Sequence, residues 1–350
     1  MFSIFFPISG VSLNPLLILG TGVLGGIASG FLGVGCGVVI TPFLMEFGIP
    51  PLTAVSTQLC HATATNFSNF LSYRRSRDVD FYLTMYILLG GIVGAAFEWL
   101  TLKLFHGTEI ILQKFVFVYI ATLFIFGVIM LRQSTNSIRI GKNKPSYRQT
   151  FMMRRWMLYL PIHKIFKRSR VEMSIFVPLF VGFLAGTIVT STGGGNNLFT
   201  TPILTYLIGR ISPVVRGTTS LTGFVISVIV TIVYAERGYN CDFFFVAILF
   251  LGAAFGIWIG KILTRIIKKE YINIIAALSV FIIATRMVIK TFFLENSFLV
   301  DTPQDMSNSI IYNFTSQSPV MYAIACISLI CLAAVFFEKL LRKITKREDA

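Results

Sequence analysis

Long stretches of this chain carry no charge at all. Met173–Gly209, Gly217–Ala235, Phe243–Gly260 and Met306–Phe337 contain no Asp, Glu, Lys or Arg, and the first charged residue is Glu46. A membrane span needs about 20 mainly apolar residues, and several of these runs are long enough. Across the 350 residues, 55% are hydrophobic and 13% charged, against about 25% charged in soluble domains. That composition excludes a disordered chain and argues against a soluble enzyme. It predicts an all-α polytopic membrane protein. Residues 1–12 lack a basic n-region, so no cleaved signal peptide is expected.

The net charge of +15 raises the question of nucleic acid, but its placement answers it. Eleven of the 30 Lys/Arg fall between Arg132 and Arg170. Basic loops between spans mark the cytoplasmic face and touch anionic headgroups. The expected partner of this charge is the lipid bilayer, and no nucleic acid is expected. The five cysteines, Cys36, Cys60, Cys241, Cys326 and Cys331, sit in or beside apolar segments without paired ligand spacing. They read as small buried hydrophobes, so no metal and no cofactor is expected.

The chain also repeats itself. Gly33–Pro42 matches Gly193–Pro202 at a shift of 160, with Gly22 and Gly26 meeting Gly182 and Gly186 upstream. Downstream the shift becomes 162: Pro51 meets Pro213, Ser56-Thr57 meets Thr218-Thr219, Asp80-Phe81 meets Asp242-Phe243, and Gly90 and Gly94 meet Gly252 and Gly256. Internal repeats in membrane proteins point to transporters with a site at the repeat interface.

Each half reads as five apolar segments, roughly 12–33, 37–48, 51–73, 81–102 and 111–131, then 174–192, 197–209, 213–235, 243–263 and 271–290, with a last span at about 319–338. The second segment of each half is short: about 17 Å at 1.5 Å per residue, against about 30 Å of hydrocarbon. If the short segments cross, the halves are inverted and 25 basic residues lie inside against 5 outside; if they return, the best split is 17 against 13. The positive-inside rule favours inversion. The expected order is a first transmembrane repeat (1–131), a basic cytoplasmic loop (132–172), a second transmembrane repeat (173–290), an external loop (291–318), a last span (319–338) and a basic cytoplasmic tail (339–350). The N-terminus is then outside and the C-terminus inside the cytoplasmic (inner) membrane. A homodimer stays open.

Gly33, Gly35 and Gly37 with Cys36, and Gly193, Gly194 and Gly195 with Asn196 and Asn197, break the backbone between a long span and a short helix. Broken backbone in lipid needs partners in protein or a wet cavity. Glycine lets a ligand approach closely, and the following helix offers free N–H groups and a partial positive charge to an anion. Close helix packing is the competing explanation; two breaks at matching positions favour binding. The next helix of each half carries a polar face, with Gln58 and His61 in the first and Thr218 and Thr219 in the second. Glu46 and Arg216 are candidate coupling residues. Asp80 and Asp242 read as helix N-caps. No HExxH, GxSxG or Walker motif is present, so the chain is not expected to be an enzyme.

These residues resemble the sulfite exporter TauE/SafE family, whose members carry, twice, a long span, a G-x-G-G-G break, a Pro about five residues on, a G-[IVL]-P-P-like step, an A-x-x-T/S run and a basic or acidic turn. Here that pattern is Gly33-Val-Gly35-Cys36-Gly37 with Pro42 and Pro50-Pro51, then Gly193-Gly-Gly195-Asn196-Asn197 with Pro202 and Pro213. The resemblance covers about residues 12–290. It implies export of a small sulfur-containing anion such as sulfite, sulfoacetate or another sulfonate. Cys36, Asn196 and Asn197 replace glycines of the pattern at the place where the ligand should sit. The alternatives are a permease for an unrelated solute or metal ion, and a non-transporting membrane scaffold.

Overall fold

A computed structural model describes residues 4–32, 37–104, 161–166, 168–169, 171–194, 213–266 and 318–348, with parts of 117–132, 200–204 and 278–289. Eight helices are bounded among them: α1 (Pro15–Leu32), α2 (Gly37–Glu46), α3 (Pro51–Arg75), α4 (Phe81–Leu104), α5 (Phe176–Thr192), α6 (Pro213–Glu236), α7 (Phe243–Ile266) and α8 (Pro319–Glu348). The protein is mostly helical, as expected. Three helices contain stretches long and apolar enough to cross a membrane: Phe81–Thr101, Val214–Glu236 and Phe243–Gly260. The last helix runs past the expected end near 338 to Glu348.

Local sequence sets the ends. Pro51 opens α3 at its first turn, where its missing N–H costs nothing. Arg74 and Arg75 close that helix, placing positive charge at the negative end of its dipole. α5 stops at Gly193, whose φ of 78° is left-handed and whose N–H bonds the Val189 carbonyl. That reversal favours glycine.

The halves pack by exchanging equivalent helices. α1 lies along α7, running the same way: Gly22 faces Leu249 and Gly252, and Gly26 faces Ala253. α5 lies along α4 through the corresponding residues: Gly182 faces Ile87, and Gly186 faces Gly91. The same shifts of 160 and 162 convert one set of contacts into the other. A methyl at Gly22 would come within 2.6 Å of the Leu249 carbonyl oxygen, so small residues are what allow this approach. α3 and α6 run antiparallel. Phe67 packs on Phe224 with ring centres 4.9 Å apart, and Gly217 abuts Tyr73 and Asp78 at the far end of α3. The fifth segments of the two halves also touch, through Phe124 and Phe281.

Two short antiparallel hairpins were not expected. β1 (Ile4–Phe6) pairs with β2 (Val11–Leu13), and β3 (His163–Phe166) with β4 (Val171–Ser174). They are repeat partners as well, since Phe6, Ser9 and Val11 match Phe166, Ser169 and Val171 at the shift of 160. Each is latched to an aspartate of the opposite half. Asp242 accepts the Ile8 N–H, the Ser9 N–H and the Ser9 hydroxyl (3.1, 2.8 and 2.6 Å). Asp80 accepts the Ser169 N–H and hydroxyl (3.1 and 2.8 Å). Asp80 also accepts the Leu83 N–H, so it caps α4 as expected. Asp242 likewise holds the N-cap position of α7, its carbonyl accepting the Val246 N–H, while both of its carboxylate oxygens serve the hairpin.

Outward faces are apolar. Tyr82, Met85, Leu89, Val93 and Phe97 on α4 and Phe244, Leu251, Phe255 and Trp258 on α7 are exposed. Contiguous apolar surface on this scale belongs against lipid. The polar groups are inside: Thr41, Thr57, Gln58, His61, Thr63, Thr200, Thr218 and Thr222 have no exposed surface.

Candidate functional site

Of the residues expected to bind, Gly33, Gly35, Cys36, Gly195, Asn196 and Asn197 lie outside the described residues. The rest of the two glycine breaks come together. Gly37 at the start of α2 abuts Gly194 beyond the end of α5, and Gln58 on α3 lies against both. A Cβ at Gly37 would stand 2.6 Å from the Gly194 carbonyl oxygen and 3.0 Å from Gln58 Nε2; one at Gly194 would stand 3.1 Å from the same nitrogen. Gly193 packs on Val55 and Gln58. Each half therefore contributes its interruption to one place.

Thr41 fastens this junction. Pro42 has no N–H to offer inside α2, which weakens the helix there. The Thr41 hydroxyl hydrogen-bonds the Gly37 carbonyl of its own helix (2.9 Å) and the Thr192 carbonyl of α5 (3.1 Å). Thr192 ends its helix, where carbonyls lack intrahelical donors. Fully buried Tyr119 also hydrogen-bonds Thr41. Tyr119 is a neighbour that sequence reading passed over, because a tyrosine among the Phe and Ile of the fifth segment carries no motif.

The unusual group is Gln58. It is fully buried, yet neither its amide nitrogen nor its oxygen has a hydrogen-bond partner among the described residues, and the Thr57 hydroxyl shares that condition. A buried polar group left so costs about 1–3 kcal/mol. A ligand able to accept from the nitrogen and donate to the oxygen would recover that energy. The first turn of α2 adds N–H groups and the positive end of a dipole beside the same amide. His61 follows one turn later on α3, fully buried, with the Phe250 ring 6.4 Å away.

Thr218, Thr219, Arg216 and Glu46 are elsewhere. Because α3 and α6 are antiparallel and meet at Phe67 and Phe224, Gln58 and Thr218 lie in opposite directions from that contact. At 1.5 Å per residue they are roughly 22 Å apart along the helices. Thr218 instead accepts the N–H of Asp80 (3.1 Å), beyond the other end of α3. Arg216 stands in the same first turn of α6. Thr219 lies beside Thr201, with hydroxyls 3.2 Å apart. By the repeat shifts Thr201, Thr219 and Ser220 correspond to Thr41, Thr57 and Gln58, but the pairing differs: Thr201 meets Thr219, whereas the Thr57 hydroxyl has no partner among the described residues. Glu46 closes α2, nine residues and about 14 Å from Gly37, and pairs with Arg286 at 2.8 Å. Among the described residues, no group of three His, Cys, Asp or Glu is arranged to hold a metal ion.

A bundle with lipid-facing apolar surfaces, duplicated helices and a buried polar junction between its halves is that of a helical membrane transporter. The chain belongs to the sulfite exporter TauE/SafE family, whose model matches residues 18–287. It is similar to the probable membrane transporter protein YjnA of Bacillus subtilis (strain 168), at 27% identity over 76% of this chain and 97% of that protein. It also resembles a probable membrane transporter protein of Xylella fastidiosa (strain 9a5c), at 28% identity over 31% of this chain and 38% of that one. No solved structure matches it. The relatives are named as transporters, and the chain is not an enzyme.

Proposed function

We propose that this transporter exports a small sulfur-containing anion, such as sulfite, sulfoacetate or another sulfonate, across the cytoplasmic membrane by alternating access. The observation that carries the reading is the buried Gln58 amide, unpartnered at both atoms among the described residues and set between Gly37 and Gly194 at the start of α2. A partly protonated oxyanion such as hydrogen sulfite offers acceptors and a donor of the kind that amide lacks. The helix N-terminus supplies positive potential without a fixed cation. Cys36, Asn196 and Asn197 belong to the same two breaks and complete the proposed binding groups.

The halves are inverted in this reading, with the N-terminus outside and the C-terminus inside. The antiparallel contact of α3 with α6 supports it, because a two-fold axis in the membrane plane reverses each helix onto its repeat partner. The distribution of basic residues supports the same orientation. The Gln58 and Thr219 regions then lie toward opposite faces. Rocking of one half against the other would open each in turn. A cytosolic anion is driven outward by an inside-negative potential, at about 2.3 kcal/mol per charge per 100 mV, so no pump is needed.

The test is efflux of labelled sulfite and sulfoacetate from loaded proteoliposomes. Efflux above that from protein-free vesicles, reduced in Gln58→Leu, is the expected result. Folded protein that moves neither anion would overturn the proposal.

A further inference from the structure

Cys60 and Cys241 meet across the boundary between the two halves. Cys60 stands in the third turn of α3, Cys241 in the connection between α6 and α7, and their sulfur atoms are 2.7 Å apart. Both are buried, at 0% and 2% exposure. Cys326 of α8 lies in the same apolar cluster with Val246, Phe250 and Ile330 and hydrogen-bonds Cys241. Packing alone does not require two sulfurs this close. The separation is under van der Waals contact, and a small side-chain rotation brings it to the ~2.05 Å of a covalent bond. Among the described residues no group of three His, Cys, Asp or Glu is placed to hold a metal ion.

We propose that Cys60 and Cys241 form a disulfide that staples the first half of the transporter to the second near one end of the bundle, while Cys326 stays a thiol. The closing step is a two-step exchange. One cysteine thiolate attacks a small disulfide or the disulfide of a thiol oxidoreductase, releasing one thiol and forming a mixed disulfide. The second cysteine thiolate then displaces the remaining sulfur. The two cysteines lose two protons and two electrons, and the oxidant leaves as two thiols.

Where this happens rests on the proposed orientation. Cys241 precedes Asp242, the aspartate that holds hairpin β1–β2, and in that orientation this end faces outward, where disulfides persist. Timing follows from burial. Contact with Cys326 lowers the Cys241 thiol pKa, but contact with Cys60 and burial push it well above the ordinary thiol value, so little thiolate exists once the fold is complete. The bond therefore closes while the halves assemble.

The staple joins α3 to the α6–α7 corner, two parts that alternating access would move relative to each other. It acts as a brake on that movement, absent from protein that lacks the bond.

The test uses full-length protein in membranes, acid-quenched, denatured and alkylated, then digested without reductant and analysed by mass spectrometry. The expected result is alkylation of Cys36, Cys326 and Cys331 only, with one linked peptide containing Cys60 and Cys241. Reduction with dithiothreitol should then expose all five cysteines. In Cys241→Ser, Cys60 should become alkylatable without reductant. Alkylation of all five in the unreduced protein, or a link from Cys241 to any other cysteine, overturns the proposal. These readouts need no transport assay. A mapped Cys60–Cys241 bond in protein that exports nothing, reduced or not, would sink the transporter's proposed substrate and leave the thiol pair standing. Where efflux is measurable, Cys241→Ser, which cannot form the bond, should raise its rate severalfold over the bonded protein, and an unchanged rate removes the role as a brake.

Discussion

Thr41 on α2 donates its hydroxyl to the carbonyl of Thr192, the last residue of α5, at 3.1 Å. One half thereby completes the broken helix of the other. Thr41→Val keeps the shape and loses this bond together with the one to Gly37. Each is worth about 1 kcal/mol. Thermal denaturation in detergent should show a Tm several degrees lower, with reduced efflux; an unchanged Tm would mean the junction does not depend on this hydroxyl.

Gln58→Leu separates function from stability. The substitution removes an amide with no protein partner among the described residues, so no internal hydrogen bond is broken. Stability should hold or rise by up to about 1–3 kcal/mol. Efflux should fall at least tenfold, equivalent to about 1.4 kcal/mol of lost binding. A fall in both would mark the residue as structural.

The exchanged packing of the halves predicts equal sensitivity at equivalent glycines. A methyl at Gly26 would strike the Ala253 backbone, and one at Gly186 the Gly91 backbone. Gly26→Ala and Gly186→Ala should each cost about 1–3 kcal/mol of stability by overpacking. Gly20→Ala, with nothing within 4 Å, should be neutral or gain about 0.5–1 kcal/mol from helix propensity. Detergent melts of the three variants make the comparison.

Asp242 gives a pH dependence with a definite sign. Burial raises its carboxyl pKa, against the lowering effect of the Ser9 and Ile8 hydrogen bonds. The folded protein thus holds that proton at pH values where the unfolded chain has lost it. Stability should fall as pH rises from the ordinary carboxylate value of 3.8 through the raised one, then level off. Asp242→Asn should abolish this slope while loosening hairpin β1–β2. Tm measured against pH reads the first, and amide exchange at residues 4–13 reads the second.

Glu46 should prove replaceable. Its carboxylate is already held by Arg286 at 2.8 Å, and Gln keeps an oxygen that can accept from the same guanidinium. Glu46→Gln should leave Tm and the pH profile of efflux nearly unchanged. Loss of the pH dependence would mark Glu46 as a coupling residue.

The helical segments were legible because lipid demands long apolar runs, and charge-free stretches such as Phe243–Gly260 have few other uses. The meeting of the two glycine breaks was legible through the repeat, which ties Gly33–Gly37 to Gly193–Asn197. The separation of Gln58 from Thr218 was not. Polar faces on two helices look alike in sequence, and only the antiparallel contact at Phe67 and Phe224 puts them at opposite ends. The hairpins were hidden for a different reason. Phe6, Ser9 and Val11 do match Phe166, Ser169 and Val171, but the first set sits in an apolar stretch and the second in a cationic one. The shared pattern is carried by three residues among unlike neighbours. The Cys60–Cys241 contact joins residues far apart in the chain at spacings that carry no ligand motif.

The side-by-side seating of α1 on α7 bears on how the chain is made. Gly22 meets Leu249, and ribosomes add about 5–20 residues per second, so that first helix waits roughly 10 to 45 s for its permanent neighbour. During that interval its narrow glycine seam faces the bilayer with nothing shaped to fill it. Neither half made alone would bury that seam, because the residues that fill it belong to the other half.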